Sequence, residues 1–314
     1  MVEYIVRRLA LMVPTAFLVT VGVFLLIHLI PGDPATVILA ESYTPEAAAK
    51  IHQDLGLDKP LPEQYAIYIG KLAHGDLGRS VRNRLPVTQA IGERLPATME
   101  LGLAALLWSL VVAIPLGAVA ALRRGRALDV IASGLTVAGI SIPNFVLGIL
   151  LILLFGLVLR LLPVGGFAAL TDSVPDNLSR LIMPAIALGT FGAASQMRFT
   201  RSSMIEVLSQ DYIRTARAKG ASWLRVVNGH ALRNALIPVV TIVGLQVGAI
   251  LEGALVTETV FSWPGVGKLA VESIFSKDFP VVQGIVLMAA LAYMVANLLV
   301  DLAYAWLDPR ISYS

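Results

Sequence analysis

No cysteine occurs among the 314 residues, which excludes disulfides, thiolate metal sites and a cysteine nucleophile together. Charge is scarce as well: Asp, Glu, Lys and Arg supply 14% of the chain, against 57% hydrophobic residues. A soluble core of this size needs far more charged surface, and a mean hydropathy of +0.78 lies well outside the globular range. The formal charge of +3 fits basic loops beside a membrane. No lysine- and arginine-rich stripe with interleaved aromatics offers a nucleic-acid surface. Catalytic signatures are missing too. There is no GxxxxGK(S/T) loop to cradle phosphates, no HExxH to hold zinc and no GxSxG to present a serine. His28, His52, His74 and His230 are isolated, so each reads as a surface or interfacial residue rather than a metal ligand.

What is present is a series of oily runs. Six apolar segments fall at 9–30, 101–122, 130–159, 181–197, 235–256 and 281–300, each near the roughly 20 residues that cross a hydrocarbon core. The fourth is short and contains Pro184; the third is long enough to tilt or to extend beyond the bilayer. The first follows Arg7 and Arg8 as a signal peptide would, but it is too long for an h-region and no small-x-small cleavage site follows it. These runs predict an all-α integral membrane protein with six transmembrane helices.

Loop charge orients them. Arg7, Arg8, Arg123, Arg124, Arg126, Arg198, Arg201, Arg214, Arg217, Lys219, Arg225, Arg233 and Arg310 fall on one side. The two short loops opposite hold only Arg160, Arg180, Lys268 and Lys277. Basic loops stay inside, so both termini are expected in the cytoplasm. The long first loop is the one candidate for a separate module. Thr44-Pro45 starts a helix that Gly56 stops, and a second helical pattern spans Gln64 to Leu72. The expected organisation is a span with an extracytoplasmic helical loop (1–96), a core of five spans (97–306) and a cytoplasmic tail (307–314).

The core contains one polar stretch out of keeping with its surroundings. Residues 211–238, DYIRTARAKGASWLRVVNGHALRNALIP, carry five basic side chains against Asp211 and lie within the cytoplasmic loop 198–237. The pattern predicts two short helices hinged at a glycine. Asp211 caps the first, Tyr212, Ile213 and Ala216 give it an apolar face, and Gly220 ends it as a C-cap. Ser222 caps the second, which bears Trp223, Leu224, Val226 and Val227. So elaborate an elbow implies that something docks on it.

Polar groups inside the spans mark a candidate path, since charge in a bilayer is costly. Glu252 sits about a turn inside the outer end of the fifth span, Gln246 lies between Gly244 and Gly248, and Ser141, Pro143 and Asn144 predict a kink in the third. In the last outer loop, Pro264-Gly265 suits a type II turn, with Phe261 and Trp263 at the membrane interface and a short amphipathic helix after them. Trp263, Pro264 and Gly265 are candidates for docking or gating.

Together these residues resemble the dipeptide/oligopeptide branch of ABC-type importer permeases. RTARAKG (214–220) followed by HALRNALIP (230–238) looks like the ATPase-coupling loop of that family. IPGDP (30–34), GDLGRS (75–80), ETVFSWPGVG (258–267) and LDPR (307–310) also match, in order, across essentially the whole chain. One departure stands out. The wider family carries Glu-Ala-Ala six residues before the loop glycine, where this chain has Arg214-Thr215-Ala216.

The resemblance implies a type I importer permease fold that pairs with a second, homologous permease and binds two cytoplasmic ABC ATPases. It also implies substrate delivery by an extracytoplasmic binding protein. Asp211, Tyr212, Arg214, Thr215, Ala216, Lys219 and Gly220 would couple the motor through the 211–228 loop; Asn144, Gln246 and Glu252 would line the path. No cofactor or metal is implied for this chain, ATP-Mg being held by the partner ATPases, and the permease itself is not an enzyme. Small peptides are the implied cargo, with glutathione, nickel complexes or another small solute as alternatives. An ion-coupled secondary transporter would show internal repeats and coupled carboxylates, and neither is seen.

Overall fold

A computed structural model describes residues 2–28, 34–39, 44–56 and 58–307; the IPGDP motif, apart from Pro34, and the end of LDPR lie outside the described residues. The described residues are helical throughout, apart from loops and a single antiparallel bridge between Arg79 and Pro86. The chain divides into two compact units. One comprises residues 1–97 and 265–298, the other residues 98–264 with the C-terminal end.

In the first unit, α1 (Val2–Leu26) is followed by α2 (Pro34–Leu39), α3 (Pro45–Leu55) and α4 (Leu61–Ala73). Helix α3 forms as its residues dictate: Thr44 accepts from the Ala47 amide at 3.2 Å and Gly56 closes the helix at φ +66°. Helix α4 lays Tyr65 and Tyr68 against Phe24 of α1, with ring centroids 5.4 and 5.8 Å apart. Polar bonds pin the pair, Thr20 to the Tyr65 hydroxyl at 2.8 Å and His28 to Gln64 at 2.9 Å. The first cap-like loop is thus fastened to its own span. From α13 (Phe279–Leu307), Gln283 donates to the Val23 carbonyl at 2.9 Å, so the same unit ties the first long helix to the start of the last one.

The second unit is built around α8 (Val174–Leu208), which packs on α6 (Ala127–Ser141), α7 (Asn144–Leu151) and α11 (Arg233–Val260). Where the sequence predicts a short fourth span, the helix has 35 residues. Ser173 caps it and Pro175 occupies its first turn, where a missing N–H costs nothing. Its polar final turns fall outside an apolar-run count yet remain helical. Small residues let helices close up: a Cβ on Gly117 of α5 (Val87–Leu122) would lie 2.7 Å from the Thr200 Cβ on α8.

The third apolar run breaks at the kink expected around Pro143. Instead of one tilted span it forms α6 and α7 with a π-helical extension (Ile152–Val158), bent by 105°. Pro143 explains the break. It pushes the preceding Ile142 into extended backbone at φ −87°, ψ 119°, and it has no N–H to continue the ladder.

Among the described residues, four helices are long and apolar enough to cross a bilayer, or five when the bent pair is one span; α1 adds a shorter apolar stretch, Ala10–Leu26. Outward-facing Leu103, Leu107 and Val111 on α5, and Val130, Ile131 and Val137 on α6, give these helices the apolar exterior that lipid requires.

Candidate functional site

The polar elbow starts two residues after α8 ends. Helix α9 (Asp211–Ala218) follows, then a turn at 219–222, then α10 (Trp223–Arg225). A π-helical turn (Val226–Leu232) carries α10 directly into α11, so the second elbow helix is the beginning of the next long helix. Gly220 has φ +84°. Around it the Ala221 amide bonds the Ala216 carbonyl at 3.2 Å and the Gly220 amide bonds Arg217 at 3.0 Å, the paired geometry of a Schellman C-cap.

The caps at the starts differ from expectation. Gln210, not Asp211, occupies the N-cap of α9 and makes no side-chain cap bond. Asp211 sits one residue inside, where its charge still complements the positive helix end, and its carboxylate lies 3.5 Å from Arg214. Ser222 holds the N-cap position before α10 but its hydroxyl likewise makes no cap bond.

Helix α9 has two distinct faces. Ile213 is buried in a cluster with Ala121, Met204, Val226, Val227, Ala231 and Ala235, and Ala216 packs on the same cluster. Ala216 therefore belongs to the inward face, not to a surface open for docking. The opposite face exposes Asp211, Arg214, Thr215, Ala218 and Lys219. Tyr212, at the edge, accepts a hydrogen bond at 3.1 Å from Asn234, at the start of α11. Arg217 lies over the Trp223 ring at 5.3 Å, and Trp223 and Leu224 are 50% and 72% exposed. The elbow thus presents a basic, partly aromatic surface on a seat anchored in the helix bundle.

Close by in sequence, Arg201 of α8 forks onto Asp129, with Nε to Oδ1 at 2.5 Å and Nη2 to Oδ2 at 2.9 Å. The same carboxylate accepts from the Gly125 amide at 2.9 Å, so the α5–α6 turn is tied to the helix that leads into the elbow.

Deeper in the bundle, Gln196 of α8 donates to Gln246 of α11, and both side chains are buried. Gln246 packs so closely on Gly192 that a Cβ there would overlap its amide. Thr200, one turn beyond Gln196, is fully buried and its hydroxyl has no partner among the described residues. Asn144 opens α7 against α11 elsewhere: a Cβ on Gly253 would lie 3.2 Å from its Nδ2. Asn144 and Gln246 therefore meet different parts of the bundle. The side chain of Glu252 lies outside the described residues.

Of the outer candidates, Trp263 and Gly265 are buried and Pro264 is half-buried. Trp263 and Phe261 are 0% and 1% exposed, and the Trp263 ring meets Phe167 edge-on at 4.8 Å. Nor is the turn type II. Gly265 is extended at φ −95°, and the left-handed residue is Ser262 at φ +54°. Ser262 and Trp263 amides bond the Thr259 and Glu258 carbonyls at 3.3 and 2.8 Å, so this segment is the Schellman end of α11. Glu258, fully buried and accepting from Thr98 at 2.7 Å, was not singled out in the sequence because it lies in a motif read as a loop.

Comparison with known proteins decides the family. Residues 113–313 match the model described as binding-protein-dependent transport system inner membrane component. Residues 1–102 match the model for the N-terminal part of the same component. The chain belongs to this family. The permease is 44% identical over 337 residues to the dipeptide transport system permease protein DppB of Escherichia coli (strain K12), covering 100% of this chain and 99% of that one. It is 45% identical over 334 residues to the di/tripeptide transport system permease protein DppB of Pseudomonas aeruginosa (strain UCBPP-PA14), with 100% and 99% covered. Identity to the glutathione transport system permease protein GsiC of Escherichia coli (strain K12) is 42% over 313 residues, with both chains covered completely. The permease is thus a multi-pass subunit of an ABC-type transporter in the bacterial inner membrane, working with a binding protein and ATPase subunits.

Proposed function

We propose that this permease moves short peptides across the cytoplasmic membrane by alternating access, driven through α9 by a cytoplasmic ATPase. The observation that carries the coupling role is the two-faced elbow: Ile213 and Ala216 seat α9 on the bundle, while Arg214, Thr215 and Ala218 face outward. A helix held this way transmits a push from its exposed face into α8 and α11. ATP hydrolysis, with its magnesium, then belongs to two ATPase subunits, and a second homologous permease completes the pathway. Six spans with both termini inside place the elbow in the cytoplasm, in keeping with its excess of arginine and lysine. Asn144, Gln246 and Glu252 are assigned to the translocation path, and Trp263, Pro264 and Gly265 to an outer element for binding-protein docking or gating.

The peptide reading is supported by the names of the relatives, which specify dipeptides, di- and tripeptides, and glutathione, itself peptide-like. Glutathione is the second reading on the same ground. The test uses the reconstituted complex. Gly220→Val forces a β-branched residue into left-handed backbone at a local cost of about 1–2 kcal/mol, small beside the stability of the bundle. Membrane abundance should stay near normal while peptide uptake and substrate-stimulated ATP hydrolysis both fall. Normal transport by this variant at normal abundance would remove the elbow from the mechanism. Competition between labelled dipeptide and unlabelled glutathione separates the two cargo readings.

A further inference from the structure

In the first unit, residues 75–86 (GDLGRSVRNRLP) form a tight turn whose hydrogen bonding is unusually complete. The Ser80 hydroxyl donates to Asp278 Oδ2 at 2.5 Å and the Val81 amide donates to Oδ1 of the same carboxylate at 3.1 Å. Ser80 and Asp278 are both buried. Within the turn, the Ser80 amide bonds the Leu85 carbonyl at 2.9 Å and the Arg84 amide bonds the Ser80 carbonyl at 3.0 Å. The Asn83 amide bonds Ser80 Oγ at 3.2 Å and the Leu85 amide bonds Asn83 Oδ1 at 3.1 Å. Arg84 is held at φ +61°, a left-handed backbone that is strained for a non-glycine residue. Strain of that kind persists only where surroundings enforce it.

The rigid frame presents Arg79, Arg82 and Arg84, all exposed. None of the three pairs with a carboxylate among the described residues, although Arg79 donates to the Arg84 carbonyl at 3.4 Å. Asp76, the acid within the turn, accepts from the Gly78 amide at 2.8 Å. Three guanidinium groups without a carboxylate partner among the described residues, on a pre-organised turn, form a recognition surface for carboxylates. The turn contains no aromatic residue, so it lacks the anchor that membrane-interface segments use. With Trp263 buried, this turn is the better-exposed candidate contact.

We propose that the Arg79–Arg82–Arg84 turn docks an acidic patch on the extracytoplasmic binding protein, a proposal that rests on the importer reading and its outward placement of residues 75–86. The test titrates the binding protein of the same system against the complex in nanodiscs and follows stimulated ATP hydrolysis. Charges at an interface rim act chiefly on encounter rate and salt dependence. For the wild type, the half-saturating concentration should rise several-fold between about 50 and about 300 mM KCl as screening shortens. Replacing all three arginines with glutamine should raise it about tenfold at low salt and flatten the salt dependence. The triple lysine variant, which keeps the rim charge, should remain within about twofold of wild type and retain its salt dependence; a lysine variant as impaired as the glutamine one overturns charge-steered docking. An unchanged half-saturation in the glutamine variant, or a salt-independent wild type, overturns the proposal. So does a defect that follows the anionic lipid content of the nanodisc, which would assign the turn to the membrane surface. A wild type that no concentration of binding protein stimulates overturns the importer reading itself, a result distinct from failure of the docking turn alone.

Discussion

Gly220 and Ser262 occupy the same position in two helix ends, yet only one of them is glycine. Each is the left-handed residue of a Schellman cap, at φ +84° and +54°. At Gly220 no atom lies near a would-be Cβ, so backbone conformation is what restricts substitution there. At Ser262 the strain is present in the native protein, and Ser262→Gly should relieve it by about 1 kcal/mol. A melting temperature raised by a few degrees in detergent, with uptake unchanged, is the expected result; a lower one would mean the Ser262 side chain contributes more than its backbone costs. Residue-scale reasoning also applies to the buried amide clasp. Gln246→Leu leaves the Gln196 amide without its acceptor, at about 1–3 kcal/mol. The Gln196→Leu/Gln246→Leu pair should recover part of that loss, because both polar groups are then gone. A double-mutant cycle on thermal stability measures the coupling, and strict additivity would show that the clasp contributes none.

At the scale of the element, α9 makes the sharpest distinction. Ala216 and Ala218 are two residues apart, equally small and equally helix-favouring, but they face opposite ways. Ala216→Glu pushes a carboxylate toward the Ile213 and Met204 cluster and should reduce folded abundance. Ala218→Glu adds charge to the open face and should leave abundance unchanged while ATPase subunits dissociate more readily during purification. Equal effects of the two on abundance would contradict the two-faced seat. The Arg201–Asp129 fork belongs to this scale as well, because it ties the α5–α6 turn to the helix that bears the elbow. Arg201→Ala strands a mostly buried carboxylate and should lower the melting temperature, and exchanging the two residues should restore part of the loss.

For the whole molecule, the absence of cysteine makes sidedness directly measurable. Ser173 is a poor labelling site because it caps α8, whereas Thr171 and Ser222 are exposed and make no cap bond. With six spans and cytoplasmic termini, Thr171→Cys should react with an impermeant maleimide in intact cells and Ser222→Cys should react only after permeabilisation. The opposite pattern would invert the orientation and take α9 away from any cytoplasmic motor.

Much of this was legible from residue order alone, because the forces concerned are local or compositional. Apolar runs announce a membrane protein since lipid leaves a backbone few alternatives to helix, and no fold is needed to see that. Thr44, Gly56 and Gly220 mark helix ends because caps and positive φ are decided within a few residues. The Pro143 break was likewise visible as a kink, though not its 105° angle. Tertiary structure decided which side of each helix is used. It turned Ala216 inward, buried Trp263 against Phe167, and joined Gln196 to Gln246 across 50 positions and Ser80 to Asp278 across 198. Those pairings depend on which helices become neighbours. That is set by small-residue crossings and buried hydrogen bonds between distant segments, which no local window of sequence contains.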